Sequence, residues 1–180
     1  MNIVQPIRDK DKIESMKRVL LKKSNRDYIL FVLGINTGMR ISDMLRLRVR
    51  DILGNCIVIK EKKTGKVNRF YVPSHICNEM QTFVQDLEYD DFLFCGRNGT
   101  AVPITRQRAY GVLRDAARIV GLREIGTHTM RKTFGYHFYK QTKDVVMLMQ
   151  IFNHSDASVT LRYIGINEET KETAMRRFSI

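Results

Sequence analysis

Four short stretches hold residues whose types and spacing could do chemistry. H-T-M-R, His128 to Arg131, sets an imidazole and a guanidinium three residues apart, which a helical turn stacks on one face. Two such donors can serve a single anion: arginine offers a planar fork, and histidine donates a hydrogen bond or shuttles a proton. T-G-M-R-I-S-D places Arg40 on a sharp connection between two helices, with Asp43 near enough to pair with a cation. K-K-T-G-K puts Lys62, Lys63 and Lys66 around a turn. A lysine there is a point charge for phosphate, or a proton donor to a leaving oxygen when its site lowers its pKa. F-N-H-S-D-A-S-V-T-L-R-Y carries His154 and Tyr163 nine residues apart. A tyrosine hydroxyl can attack phosphorus once cations stabilise the developing charge.

Each stretch taken alone also has a bland explanation. H-x-x-R suits an exposed helix face, and T-G-M-R-I-S-D a capping ion pair. K-K-T-G-K suits a solvated turn that blunts a sheet edge. Tyr163 suits a half-buried ring with a wet hydroxyl. Only their combination points to one polyvalent anion-binding centre.

The charge balance supports that reading. Lys and Arg number 31 against 19 Asp and Glu, a formal net charge of +12. From Arg40 to Arg69 there are nine Lys or Arg and three acids; from Arg97 to Lys140 there are nine and two. A surface this basic fits a polyanion, and nucleic acid fits it better than a membrane, because no basic amphipathic helix stands apart. No apolar run reaches the ~18 residues of a membrane span, and the N-terminus lacks the apolar core of a signal peptide. Cys56, Cys77 and Cys95 are odd in number and widely spaced, which reads as reduced core cysteines of an intracellular protein, without zinc-site pairing. No Asp/Glu cluster offers a two-metal site, which disfavours a metal-dependent nuclease.

The elements that must position these residues form a mainly α domain with a small antiparallel sheet, an α+β arrangement without the βα alternation of a doubly wound fold. Ile13, Met16, Val19 and Leu20 give a helical period over Asp9 to Leu21. Ser24 is placed to cap a second, buried helix centred on Y-I-L-F-V-L, and Gly38 to end it in the left-handed conformation. A short helix is expected over Ser42 to Leu47. C-I-V-I-K-E and V-N-R-F-Y-V form a hairpin whose turn is K-K-T-G-K. Ser74 can cap a helix to about Leu87, and D-F-L-F reads as a short strand. Helices follow over Thr105 to Val120, His128 to Lys140 with Thr127 as cap, Asp144 to Phe152, Ala157 to Arg162 and Glu168 to Phe178.

The order R, K, H-x-x-R, H, Y, from T-G-M-R-I-S-D through K-K-T-G-K and H-T-M-R-K-T-F to N-H-S-D-A-S-V-T-L-R-Y, resembles the tyrosine recombinase family, the phage-integrase type. The resemblance spans Thr37 to Tyr163 and implies the family's catalytic-domain fold over residues 1–180, with the usual N-terminal core-binding domain absent from this chain. It implies that Arg40 and Arg131 clamp the scissile phosphate, and that His128 and His154 hydrogen-bond it and assist proton transfer. Lys63 would protonate the leaving 5′ oxygen, with Lys62 and Lys66 as open alternatives. Tyr163 would be the nucleophile, and Asp43 would buttress the site. Lys62, Lys66, Arg69, Lys132 and Arg162 are expected on the DNA backbone. Two positions depart mildly from the family pattern: Asn153 stands where glycine is frequent, and Met130 where leucine is frequent.

The activity so implied is site-specific strand exchange through a 3′-phosphotyrosine, with no metal and no ATP. The implied partners are double-stranded DNA, three further copies in a tetramer, and an accessory protein or separate DNA-binding domain. The last helix is a candidate for exchange between subunits, in cis or in trans. A cytoplasmic site of action and a prokaryotic, phage or mobile-element origin follow from the same likeness. The competing activities are relaxation of supercoils by a type IB topoisomerase and DNA binding without chemistry.

Overall fold

The computed structural model describes residues 4–96 and 102–166, together with 173, 175, 176 and 178. The expected helix over Glu168 to Phe178 lies largely outside these residues.

Helices α1 (Lys10–Lys23) and α2 (Asn25–Thr37) pack together, with Ile13, Met16 and Leu20 of α1 in the same core as the apolar centre of α2. Asp9 caps α1 by accepting from the amides of Asp11 and Lys12. Ser24 stands at the N-cap of α2 but makes no side-chain cap. It is the junction of two abutting helices, and its amide closes the first by donating to Leu20 O at 2.9 Å. Gly38 ends α2 with φ 67°, a left-handed conformation that glycine adopts without strain.

A short helix α3 (Ile41–Met44) and a 3₁₀ turn (Val49–Ile52) lead into the hairpin of β1 (Cys56–Lys60) and β2 (Val67–Tyr71). The strands are antiparallel, with Cys56 opposite Tyr71 and Lys60 opposite Val67. Ile57 and Phe70 point into the core as a cross-strand pair. Helix α4 (Ser74–Phe83) is shorter than its sequence pattern suggests, and Pro73, not Ser74, takes the N-cap position. Proline's fixed φ and missing N–H suit a helix start. D-F-L-F forms no strand: Phe92 and Cys95 make isolated bridges to Arg48 and Pro103.

Helix α5 (Arg106–Ile119), capped by Thr105, lays Ala109, Val112, Leu113 and Ala116 on the main core. Helix α6 (Thr129–Thr142) then crosses α2 at close range. A Cβ on Gly34 would lie 2.7 Å from Met130 Sδ, and one on Gly38 would lie 2.4 Å from Phe134 Cδ1. Two glycines four residues apart thus accept two large side chains four residues apart. Helices α7 (Val145–Phe152) and α8 (Ala157–Tyr163) fold back onto α6 around a second cluster of Tyr136, Leu148, Phe152, Ile164 and Ile166. The seam between the main core and this smaller cluster is where the candidate residues meet. Among the described residues no helix is long and apolar enough to cross a membrane. The three cysteines are free and half-buried rather than in the core.

Candidate active site

Two arginines define the centre. Arg131 is on the first turn of α6 and is only 3% exposed. Its Nη1 donates to Gly38 O at 2.5 Å and its Nη2 to Phe152 O at 2.9 Å, with the guanidinium 4.2 Å from the centre of the Phe152 ring. Arg40 follows the Gly38 turn and donates through Nη2 to the same Phe152 carbonyl at 3.4 Å. That carbonyl ends α7, so the negative end of one helix holds both cations side by side. Burial and then Arg40 pull the Arg131 pKa down to about 10. Two guanidiniums converging on one carbonyl, one of them also paired with a carboxylate, make a place suited to an oxyanion.

That carboxylate is Glu61, which no sequence motif singles out. It is 1% exposed, and its Oε2 lies 2.6 Å from Arg40 Nη1. Burial works to raise its pKa, but hydrogen bonds from Thr64, Arg40 and Asn68 win and hold it below the usual carboxylate value. Asp43, expected as the partner of a cation, instead bonds to backbone. Its Oδ1 accepts from the Lys62 amide at 2.9 Å and so ties α3 to the root of the hairpin. A carboxylate next to three lysines at a hairpin was the available signal for Glu61.

The nucleophile candidate sits over these cations. Tyr163, the last residue of α8, has its hydroxyl 3.2 Å from His128 Nδ1. Its ring meets His154 and Phe152 edge-on, with centroids 5.4 and 5.6 Å away. Burial raises its pKa, while Arg131 and Arg40 act to lower it. His128 is itself the N-cap of α6, in place of Thr127, and makes no side-chain cap. The hydroxyl that acts at this corner belongs to Thr129, which accepts from the Gly126 amide at 2.9 Å.

His154 follows the left-handed Asn153, φ 52°, which closes α7. Its Nδ1 lies 3.0 Å from Thr160 Oγ1, whose own proton goes to Asp156 O at 3.0 Å. The threonine oxygen therefore accepts, Nδ1 carries the hydrogen, and Nε2 is left for a partner in the site. The pKa values of both histidines are depressed, first by desolvation and then by Arg131.

Lys63 is an exposed hairpin residue, and it is the hairpin lysine whose charge reaches both histidines. Lys62, Lys66 and Arg69 are exposed on the same hairpin, and Arg162 is exposed on α8. Lys132 is engaged in the fold: its Nζ donates to Val4 O at 2.8 Å and lies 5.1 Å from the Tyr163 ring centre. Among the described residues no group of three His, Cys, Asp or Glu could hold a metal ion.

The model of the phage integrase family matches residues 8–170. The chain belongs to the phage integrase family. A relative within it is "Probable integrase/recombinase YoeC" of Bacillus subtilis (strain 168), 46% identical over 179 residues, which are 99% of this chain and 98% of the relative. Tyrosine recombinase XerC of Staphylococcus epidermidis is 27% identical over 155 residues, or 82% of this chain and 52% of the relative. The integrase chain thus spans nearly all of YoeC and about half of XerC. Among solved structures, XerA recombinase superposes with a TM-score of 0.78 at 16% identity, covering all of this chain and 66% of that one. XerH, in a post-cleavage complex with a palindromic difH substrate, gives 0.77 at 20% identity, covering 98% and 53%. Both likenesses are of fold: mainly helical, with a small antiparallel sheet, as the integrase sequence pattern predicts.

Proposed function

We propose that this protein is a site-specific DNA recombinase that breaks and rejoins strands through Tyr163. The observation that carries the reading is the Tyr163 hydroxyl, held at His128 above two arginines that share one helix-end carbonyl. A phenol with a raised pKa is protonated near neutrality, so its attack needs a proton acceptor and positive charge close by. His128 Nδ1 is the acceptor within reach. Arg40 and Arg131 hold the non-bridging oxygens, and His154 Nε2 adds a contact on the far side.

Tyr163 Oη bonds to phosphorus, the P–O5′ bond breaks, and Lys63 gives its proton to the departing 5′ oxygen. The product is a 3′-phosphotyrosine and a free 5′ hydroxyl. Another 5′ hydroxyl then attacks the phosphotyrosine and gives its proton to Lys63, while His128 returns its proton to the departing Tyr163 oxygen, and the strand is resealed. The ester count is unchanged, so no nucleotide is consumed. The exposed Lys62, Lys66, Arg69 and Arg162 contact the DNA backbone, while Lys132 supports the tyrosine ring. We further infer double-stranded DNA as the partner, a tetramer as the working assembly, and a DNA clamp from an accessory protein or separate domain. The action takes place on DNA in the cytoplasm of a prokaryote, on behalf of a mobile element such as a phage.

The test is incubation with supercoiled plasmid in EDTA, followed by detergent trapping of protein–DNA adducts. The parent should form an adduct, and Tyr163→Phe, which keeps the ring contacts, should form none while unfolding at a similar temperature. An adduct in both would remove Tyr163 from the chemistry. Relaxation of plasmid without joining of two sites would favour the topoisomerase reading.

A further inference from the structure

Glu61 has more partners than a counter-ion for Arg40 needs. Thr64 Oγ1 donates to its Oε2 at 2.8 Å, Asn68 Nδ2 to its Oε1 at 3.3 Å, and Asn153 Nδ2 to its Oε2 at 3.2 Å. Arg40 makes the fourth contact. These partners come from the hairpin turn, the second strand, the α7–α8 turn and the α2–α3 turn. The backbone at Glu61 is held too: its amide donates to Lys66 O, and its carbonyl accepts from the Gly65 amide, both at 2.9 Å. Asn68 Nδ2 also reaches Ile151 O at 3.3 Å, a second link from hairpin to α7.

The uncharged donors help keep this buried carboxylate ionised, but charge balance does not require them to come from four separate segments of the chain. Their shared effect is geometric. They join the base of the lysine turn to the arginine on one side and to the residue before His154 on the other. Lys63 stands two residues beyond this joint, on a turn otherwise open to solvent. A long ammonium side chain on a free turn would lose much of its time in unproductive positions. Asn153 is the part of the joint that this sequence supplies in its own way. Glycine would serve its left-handed backbone equally well, so the asparagine is accounted for by its amide.

We infer that Glu61 is a positioning residue for strand cleavage, which, with Asn153, Asn68 and Thr64, sets the lysine turn against Arg40 and His154 so that Lys63 meets the leaving 5′ oxygen. The inference rests on the reading of Lys63 as proton donor given above.

The test uses single-turnover cleavage of a duplex oligonucleotide copying the plasmid sequence at which the adduct forms. The bridging 5′ atom of the scissile phosphate is either oxygen or sulfur. Sulfur leaves as a stable thiolate and needs no proton. On oxygen, Glu61→Gln should be slower by about 10- to 100-fold, the loss typical when the support of a reacting group is removed. Asn153→Gly, which keeps the backbone conformation and so the fold, should show a smaller loss of the same kind. On sulfur both should approach the parent rate, as should Lys63→Ala. The double variant Lys63→Ala/Glu61→Gln should be no slower on oxygen than Lys63→Ala alone, because the two act on one event.

Equal losses on oxygen and sulfur for Glu61→Gln and Asn153→Gly, with Lys63→Ala rescued, would overturn the inference and assign Glu61 to the arginines or to folding. No loss for either variant on oxygen would overturn it as well. Failure of sulfur to rescue Lys63→Ala would instead overturn the reading of Lys63.

Discussion

Arg131→Met separates the energetic cost of the anion site from its use. In the free protein Arg131 keeps its charge in a nearly sealed position, and its pKa is pulled down to about 10. At ~1.4 kcal/mol per pKa unit, the charged form is disfavoured by on the order of 3 kcal/mol relative to an ordinary guanidinium. Methionine removes that burden and keeps an apolar stem against the Phe152 ring. The change also strips a donor from Gly38 O and Phe152 O, and each buried acceptor left short costs about 1–3 kcal/mol. Phe152 O retains Arg40, so its loss lies at the low end. Relief and loss are of similar size and opposite sign. Thermal unfolding should therefore move by only a few degrees, at roughly 2–4 °C per kcal/mol for a chain of this length. Cleavage should fall by on the order of 10²–10³, the usual consequence of deleting one preorganised charge stabiliser. The assays are adduct formation under single-turnover conditions and thermal unfolding with and without inorganic phosphate. Phosphate should raise the unfolding temperature of the parent more than that of the variant, because only the parent keeps the full site. Near-parental cleavage would refute the role of the buried charge. An unfolding temperature lower by roughly 10 °C or more, with activity lost only in step with it, would make Arg131 a structural residue.

Two further outcomes follow from the same geometry. Both histidines have pKa values depressed below 6.5, so the unfolded chain binds more protons than the folded one in that range. Stability from the neutral rings is present above pH 6.5 and is lost as pH falls through the depressed values. The acid limb of kcat/KM, which reports the free enzyme, should have its midpoint below 6.5, and a midpoint above it would contradict the assignment of a neutral His128 as proton acceptor. Gly38→Ala should lower the unfolding temperature distinctly more than Gly65→Ala. Both glycines have φ 67°, but a Cβ at Gly38 meets Phe134 at 2.4 Å and one at Gly65 meets nothing within 4 Å. Equal losses in the two variants would mean that α6 shifts at no cost.

The parts of this fold that were legible in sequence are those decided by neighbours in the chain. The helices expected from Asp9, Thr105 and Asp144 do start there, each of those side chains accepting from an amide within three residues. The hairpin follows from two β-rich runs around T-G, and the stop at Gly38 from its conformational freedom. Where tertiary packing competes, local reading fails. Ser24 is spent on a helix–helix junction, and the start of α6 is set by where Met130 and Phe134 must meet α2, which moves the cap from Thr127 to His128. The partners of Glu61 are hidden for the same reason, although its place among the hairpin lysines is visible: Arg40 is 21 residues before it and Asn153 is 92 residues after it. Asn153 looks like a mild departure in sequence because its backbone role is shared with glycine, and its side-chain role exists only across the seam.

The seam itself explains why the reacting groups are distributed so widely along the chain. Arg40 and the lysine turn stand on elements of the main core, and His154 and Tyr163 on those of the smaller cluster, while α6 sends Met130 into the first and Tyr136 into the second and carries Arg131 at the join. What registers one half against the other is a small set of buried and partly buried polar contacts: Gly38 O to Arg131, Phe152 O to Arg40, and Glu61 to Asn153. Apolar packing alone tolerates small slips between two clusters, whereas a buried carbonyl or carboxylate that loses its donor carries the full cost of desolvation. The polar contacts thus convert a slip that would misplace the arginine pair into one that the fold resists. The same cations that would stabilise a phosphate in the transition state hold the seam closed before DNA arrives. That dual use accounts for finding two arginines, and not two lysines, at the centre: a guanidinium can satisfy a backbone carbonyl with one edge and present another edge to an anion.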